Sequence, residues 1–322
     1  FKGHIAYGMF TDDGWQKDFV APGGKHTEHV LYHSKDLYVK IGNREMFPLI
    51  FEGGLEMAAQ FGGNAFIGDK KTDMPNGIKD FFKVFIPSGG DSSTPTGEQT
   101  NVYGNHLGSW NFSLTWYAPK DWTIRPYYEH YFEDHSQMFG EYGWKDCLVG
   151  VEITFPKNPI VSSLVYEYIS TKDQTGPVYW DHTPEIPEQV SGADNYYNHS
   201  IYTGWQHWGM GIGNPFVMSP IYNNDGEIVF KSNRLQGHHF GIMGTPCVDL
   251  QYRVLLSITR NWGTYGVPFY EIKKNGNALV ELIYTPHQLK GWDFTGSLGI
   301  DRGAMLGKSA GGMLTIRKTG WI

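Results

Sequence analysis

Apolar and polar residues alternate with a period of two over long parts of this chain. From Leu49 to Phe61, the residues Leu49, Phe51, Leu55, Met57, Ala59 and Phe61 interleave with Ile50, Glu52, Gly54, Glu56, Ala58 and Gln60. A strand puts the two sets on opposite faces. A helix would gather Leu49, Glu52, Gly53, Glu56 and Gln60 on one side, a face no core can use. The next run sets Trp110, Phe112, Leu114 and Trp116 against Asn111, Ser113, Thr115 and Tyr117. Ala118-Pro119-Lys120-Asp121 then turns the chain. The return sets Trp122, Ile124, Tyr128, His130 and Phe132 against Thr123, Arg125, Tyr127, Glu129, Tyr131 and Glu133.

Such strands exceed the usual length of about five or six residues and match the roughly nine to eleven tilted residues that cross an outer membrane. Trp116 and Trp122 bracket the turn, and Tyr127, Tyr128, Tyr131 and Phe132 gather at the other end, as two aromatic girdles would. A β-sandwich or propeller also alternates. Repetition favours the membrane barrel: Val149, Val151, Ile153 and Phe155, and later Leu250, Tyr252, Val254, Leu256 and Ile258, again oppose a polar set. The pattern predicts an all-β fold: one closed antiparallel transmembrane β-barrel over residues 1–322. It would have about sixteen to eighteen strands, at ~20 residues per strand and turn, with a long loop subtracted and upstream sequence added back. Leu55, Met57, Trp110, Phe112, Leu114, Val151 and Ile153 should face lipid. Glu52, Glu56, Arg125, Glu129, Glu133 and Arg253 should line a wet lumen and form an Arg–carboxylate network that pins the long loop to the wall.

Composition agrees with a β-rich chain: aromatics are 16%, charged residues 18%, and Gly accounts for 41 of 322. The net charge of −7 comes without basic clusters, which argues against nucleic acid as a partner. Cys147 and Cys247 allow one bridge at most and no zinc spacing, and no cofactor motif stands out. No apolar run reaches the ~18 residues of a membrane helix. The chain opens without Met inside an alternating run, Phe1, Ile5, Tyr7 and Met9 on one side, which predicts that upstream sequence has been removed.

Between Thr171 and Lys231 the alternation breaks. A loop over residues 173–235, rich in Tyr, Trp, Asn, His and Gly, is too long for a connector and is expected outside the membrane or folded into the lumen. Flat rings suit sugars, whose C–H faces stack on Trp and Tyr while their hydroxyls meet Asn, Asp and His. Tyr202, Trp205 and Trp208, with Asp194, Asn195, His199 and Arg234, are the candidate glycan-binding residues. Packing of the loop's own core is the competing role for each ring.

Several stretches in order resemble the capsule assembly Wzi family: GGLEMAAQFGG (Gly53 to Gly63), YGNHLGSWNFSL (Tyr103 to Leu114), YYEHYFEDHS (Tyr127 to Ser136), EYISTKDQTGP (Glu167 to Pro177), DNYYNHSIYTGWQHWGMGIGNPF (Asp194 to Phe216), NRLQGHHFGIMG (Asn233 to Gly244) and RNWGTY (Arg260 to Tyr265). The resemblance implies an outer-membrane β-barrel lectin of a Gram-negative bacterium, which helps hold capsular polysaccharide at the cell surface. Capsular polysaccharide, outer-membrane lipid and other outer-membrane proteins are its implied partners. The family's helical segment closing the periplasmic side has no counterpart here.

Other motifs lead nowhere. Gly209-Met210-Gly211-Ile212-Gly213 imitates a dinucleotide fingerprint, but no buried strand precedes it and Pro215 follows where a helix should start. His238 and His239, adjacent on a strand, point to opposite faces and make no metal pair. Glu129 and Glu133 lie ~13 Å apart along a strand, beyond either glycosidase spacing, although a cross-strand partner such as Glu56 could close that gap. No nucleophile–base pair or G-x-S-x-G elbow appears. A binding protein is thus expected rather than an enzyme, with a saccharide channel or glycan-modifying barrel as the rival.

Overall fold

The alternating segments form one antiparallel sheet. Its twelve strands are β1 (Lys2–Met9), β2 (Leu31–Ile41), β3 (Leu49–Phe61), β4 (Asn105–Ala118), β5 (Trp122–Phe132), β6 (Cys147–Thr154), β7 (Ser163–Ser170), β8 (Leu235–Cys247), β9 (Leu250–Gly263), β10 (Pro268–Tyr284), β11 (Trp292–Gly303) and β12 (Gly307–Lys318). Each pairs with the next in an up-and-down meander, and β1 and β12 are the two edges among the described residues. The computed structural model describes residues 1–85, 104–133, 135–139, 144–174, 179–180, 190–191 and 194–320. Of the stretches singled out above, Tyr103, Asp134 and residues 175–177 lie outside these, as do 178, 181–189 and 192–193 of the long loop. This chain supplies twelve strands to the sheet, whereas the sixteen to eighteen expected counted upstream sequence as well; the long loop was already subtracted there, and residues 62–85 add no strand to this sheet. The edge strand β12 is exposed along nearly its whole length.

Register fixes two opposite faces. Tyr32 pairs Gln60, Glu56 pairs Ser109, Asn111 pairs Glu129, Arg125 pairs Glu152, His239 pairs Ser257 and Arg253 pairs Glu281, so all of these share one polar face. The same pairing carries every Asp and Glu of the twelve strands to that side. The other face carries Leu55, Leu114, Val151, Val254, Leu256, Val280, Leu282, Leu298, Ile300, Leu314 and Ile316. Many remain uncovered: Leu256 is 45% exposed, Leu298 53% and Leu314 73%. A contiguous apolar face of this extent is the kind that another protein surface or a membrane covers. Trp110, Phe112, Leu114, Leu55, Val151 and Ile153 lie on it as expected. Met57 does too, but it is only 4% exposed, on the stretch of that face overlain by the 78–85 segment. There α2 (Ile78–Lys83) packs Phe81 on the Tyr7 ring at 3.9 Å and against Ala59 and Phe61.

The two ends of the sheet differ. One has the tight connections 42–48, 119–121, 155–162, 248–249 and 285–291; the other has the long connections 10–30, 62–104, 133–146 and 171–234, with the short 264–267 and 304–306. Trp116, Trp122, Tyr252, Tyr284, Trp292 and Phe294 ring the apolar face at the tight-turn end. Trp110, Tyr128, Tyr166 and Tyr168 occupy it towards the long-loop end, while Tyr127 and Tyr131 turn to the polar face. Trp110 Nε1 donates to the Met138 carbonyl at 2.7 Å and His130 stacks on Trp144 at 4.3 Å, so Met138 and Trp144 lie over these aromatics. The two cysteines are free: Cys147 begins β6 at the long-loop end and Cys247 closes β8 at the tight-turn end. Among the described residues no helix is long and apolar enough to cross a membrane.

Candidate functional site

Residues 194–234 fold against the polar face at the long-loop end and have a core of their own. Tyr196, Tyr197, Trp205, Val217 and Phe230 pack with Ile169 and Leu235 of the wall, and Tyr32, Ala58, Leu107, Tyr131 and Leu148 press on them from the sheet. Asn198 replaces a missing strand neighbour: its amide donates to the Phe230 carbonyl and accepts from the Phe230 N–H, both at 2.8 Å. Gly204, at φ +85°, lets the chain pass Tyr197; a Cβ there would lie 2.1 Å from the Tyr197 carbonyl.

Trp205 and Tyr202 are each 1% exposed. Trp205 sits edge-on to Tyr32 of the wall at 6.4 Å, and Tyr202 packs with Phe10, Val30 and Met74. These two rings hold the cap together and offer no face to a polymer. Trp208 differs, being 57% exposed. It opens the two-residue loop of the hairpin formed by Gln206–His207 and Met210–Gly211. Trp208 at φ +53° and Gly209 at φ +75° make this a type I′ turn. Gly suits the second position, but Trp at the first costs roughly 1–2 kcal/mol of backbone strain.

A buried polar network bears that strain. Asp12 Oδ2 accepts from Gln16 Nε2 at 3.1 Å, Gln206 Nε2 at 3.0 Å and the Trp208 N–H at 3.2 Å. Gln206 Oε1 accepts the Gly209 N–H at 2.7 Å, and Gln16 Oε1 accepts the Thr27 N–H at 2.9 Å. Asp12 precedes α1 (Asp13–Phe19), whose Trp15 stacks on Phe19 at 4.7 Å and covers Gly209 so closely that a Cβ there would lie 2.5 Å from the indole. Trp15, Trp208, Met210, Ile221 and Tyr222 therefore cluster at one tip, with Tyr222 56% and Met210 49% exposed. Asp12, Trp15, Gln16, Thr27 and Gln206 were not recognised from sequence. The only signal was an acidic residue just before a short helix, with its partner almost two hundred positions away.

The remaining predicted glycan residues lie elsewhere. His199 Nδ1 accepts from the Ile201 and Tyr202 N–H groups at 3.2 and 3.3 Å. Burial first, then the nearby Lys25 and His106, push its pKa down to about 3. Asp194 and Asn195 join the wall near β8: the Asp194 N–H donates to the Gln174 carbonyl at 3.0 Å, and Asn195 Oδ1 accepts from the Asn198 amide at 3.0 Å and from Asn233. Arg234 stacks on Tyr265 at 3.9 Å and donates to the Lys172 carbonyl at 3.0 Å. Trp208 thus stands on the α1 side, with Asn195 and Arg234 on the β8–β9 rim.

Glu52, Glu56, Arg125, Glu129, Glu133 and Arg253 all occupy the polar side, but they do not form one network. Arg125 pairs with Glu152 at 2.7 Å and Arg253 with Glu281 at 3.0 Å, both across neighbouring strands. Glu52 stands opposite Lys40, Glu56 accepts from the Tyr38 hydroxyl, and Glu129 accepts from the Tyr131 hydroxyl at 3.3 Å. The cap is pinned mainly by neutral donors instead: Tyr197 N–H to Glu133 at 2.9 Å, Gln60 Nε2 to the Gly204 carbonyl at 2.9 Å, and the Tyr196 hydroxyl to Asp146 at 3.0 Å. Burial raises the Asp146 carboxyl to about 6. His238 bonds the Tyr166 hydroxyl and His239 the Ser257 hydroxyl, each at 2.8 Å, on opposite faces. No cluster of three or more metal-binding side chains occurs among the described residues. Below the cap, cavities of about 490 and 570 Å³ lie against the polar face, and Asn214 and Pro215 line both.

The chain is all-β, with a two-faced sheet and a folded cap. No protein-family model matches it, and no curated protein sequence matches it either.

Proposed function

We propose that this chain is the wall and cap of a closed outer-membrane β-barrel lectin that holds surface polysaccharide, capsular polysaccharide by its resemblance to the Wzi family. The apolar face meets lipid, the polar face lines the lumen, and the long-loop end, with its cap, lies outside the cell. Closure joins the two edge strands, directly or through further strands. The protein binds its polymer and does not cleave it.

One observation carries the binding part of this reading: an exposed tryptophan in a strained turn, fixed by a buried network, with a second indole against the same turn. Sugar rings stack on such platforms. Trp208 and Trp15 supply two faces, and Asn195 with the Tyr265-backed Arg234 supplies hydrogen bonds and charge on the opposite rim. Each ring contributes about 0.5–1.5 kcal/mol, so retention depends on a repeating polymer meeting many copies. Replacing Trp15 and Trp208 together with Ala should release polysaccharide into the medium at unchanged levels of heat-modifiable barrel. Unchanged retention at normal levels would remove these rings from the site.

The cavities on either side of Asn214 and Pro215 favour a second reading, a saccharide channel gated by the cap. Steady conductance through the intact protein in planar bilayers would support that reading over the lectin.

A further inference from the structure

Four cations stand in a row on the apolar face at its long-loop end: Arg260 of β9, Lys274 of β10, Arg302 of β11 and Lys308 of β12. All four are exposed. Arg260 lies directly opposite Lys274, and Arg302 directly opposite Lys308. Like charges facing each other across strands repel. Nothing on this face neutralises them, since the acids of these strands lie on the other side of the sheet, and none of the four makes an ion pair among the described residues. Along the same strands, towards the tight turns, come Ile258, Ala278, Ile300 and Ala310 and then wholly apolar positions as far as Tyr252, Tyr284, Phe294 and Ile316. The row spans three strand spacings, about 14 Å. Past the row on β10, Ile272 and Tyr270 continue the same face towards the long loops, so the row lies near the upper border of the apolar band.

We infer that this row binds the phosphate groups of a phosphorylated glycolipid in the outer leaflet. Phosphate suits the geometry, because each oxyanion can bridge two opposed cations and turn a repulsive pair into two charge-assisted hydrogen bonds. A membrane lipid fits better than a free polymer. The cations share a face with residues that belong in hydrocarbon, two positions along the strand, so an anchored headgroup reaches them while its chains cover Ile258 and Ile300. The inference rests on the membrane reading above.

The test uses the full chain refolded into three vesicle types: neutral phosphatidylcholine, phosphatidylcholine with diphosphorylated lipid A, and the same with the monophosphorylated form. Retained lipid is measured by native mass spectrometry. The wild type should retain the diphosphorylated lipid best, with a preference that weakens as salt rises. Changing Arg260, Lys274, Arg302 and Lys308 together to Gln should cut that preference on the order of a hundredfold. Folding in neutral vesicles should be undiminished, since repulsion is relieved. Lys274→Arg with Lys308→Arg should keep the preference. If the fourfold variant does not fold, Arg302→Gln with Lys308→Gln should lose most of it. Equal retention by wild type and variant, no preference for phosphate, or capture by the row of a soluble uronate polymer in place of the lipid overturns the inference alone. Failure of the wild type to enter any vesicle overturns it together with the membrane reading.

Discussion

Asp12→Ala is the sharpest perturbation of the cap. Asp12 is 1% exposed, and its Oδ2 takes three donors at 3.0–3.2 Å, one of them the backbone of Trp208. Truncation leaves the Gln16 amide without its acceptor in a buried site, the Gln206 amide with only Thr203 Oγ1 at 3.3 Å, and the Trp208 N–H without the Asp12 carboxylate. A stranded buried donor costs about 1–3 kcal/mol, and partial rearrangement offsets some of it, so the local loss should be about 2–4 kcal/mol. β9 and β10 contribute none of these atoms, so the damage should stay in the cap and the neighbouring end of β1. Amide hydrogen exchange reads this directly. Residues 206–211 should lose roughly 30- to 1,000-fold of their protection, as 2–4 kcal/mol implies at about 1.4 kcal/mol per decade, while β9 and β10 keep theirs. Asp12→Asn, which retains one acceptor oxygen, should fall between. Unchanged exchange at 206–211 in Asp12→Ala would refute the claim that this network holds the Trp208 turn.

Further outcomes follow from the same geometry. Gly204→Ala forces a Cβ to within 2.1 Å of the Tyr197 carbonyl at φ +85°, so the cap should become protease-sensitive while the heat-modifiable band persists. For His199, the folded pKa of about 3 lies below the ordinary 6.5, so below pH 6.5 the unfolded cap takes up a proton that the folded one refuses. Stability should fall from pH 6.5 towards 3, by about 2 kcal/mol at pH 5. His199→Asn should flatten this slope in pH-resolved hydrogen exchange. For Asp146 the sign is opposite, because its carboxyl is raised from 3.8 to about 6. The stability it adds is complete below pH 3.8 and lost as pH rises through 6, so Asp146→Asn should strengthen the cap most above pH 6.

The strands were legible because their signal is local. Leu49 to Phe61 alternates over its whole length and coincides with β3, and the paired faces of Trp110–Trp116 and Trp122–Phe132 emerge, with Tyr127 and Tyr131 on the polar face. Partners were less legible, because register is not written in a single strand. Arg125 meets Glu152, a residue set by pairing with β6, and not the Glu129 of its own strand. The aromatic loop was misjudged at Tyr202 and Trp205 for the same reason: their burial depends on Val30 and Tyr32, about 170 positions away. Trp208 stayed outside because a type I′ turn aims it there. Met57 shows the converse, an apolar-face residue on a part of that face overlain by a segment with no period of its own.

The most direct measurement of the central claim is nitroxide accessibility along β9 in lipid vesicles, with single labels at Val254, Leu255, Leu256, Ser257 and Ile258. A barrel wall predicts strict alternation: labels at 254, 256 and 258 relax with oxygen dissolved in the bilayer, and labels at 255 and 257 relax with a water-soluble nickel complex. Protection of both sets from both reagents, as between the sheets of a soluble sandwich, would contradict it.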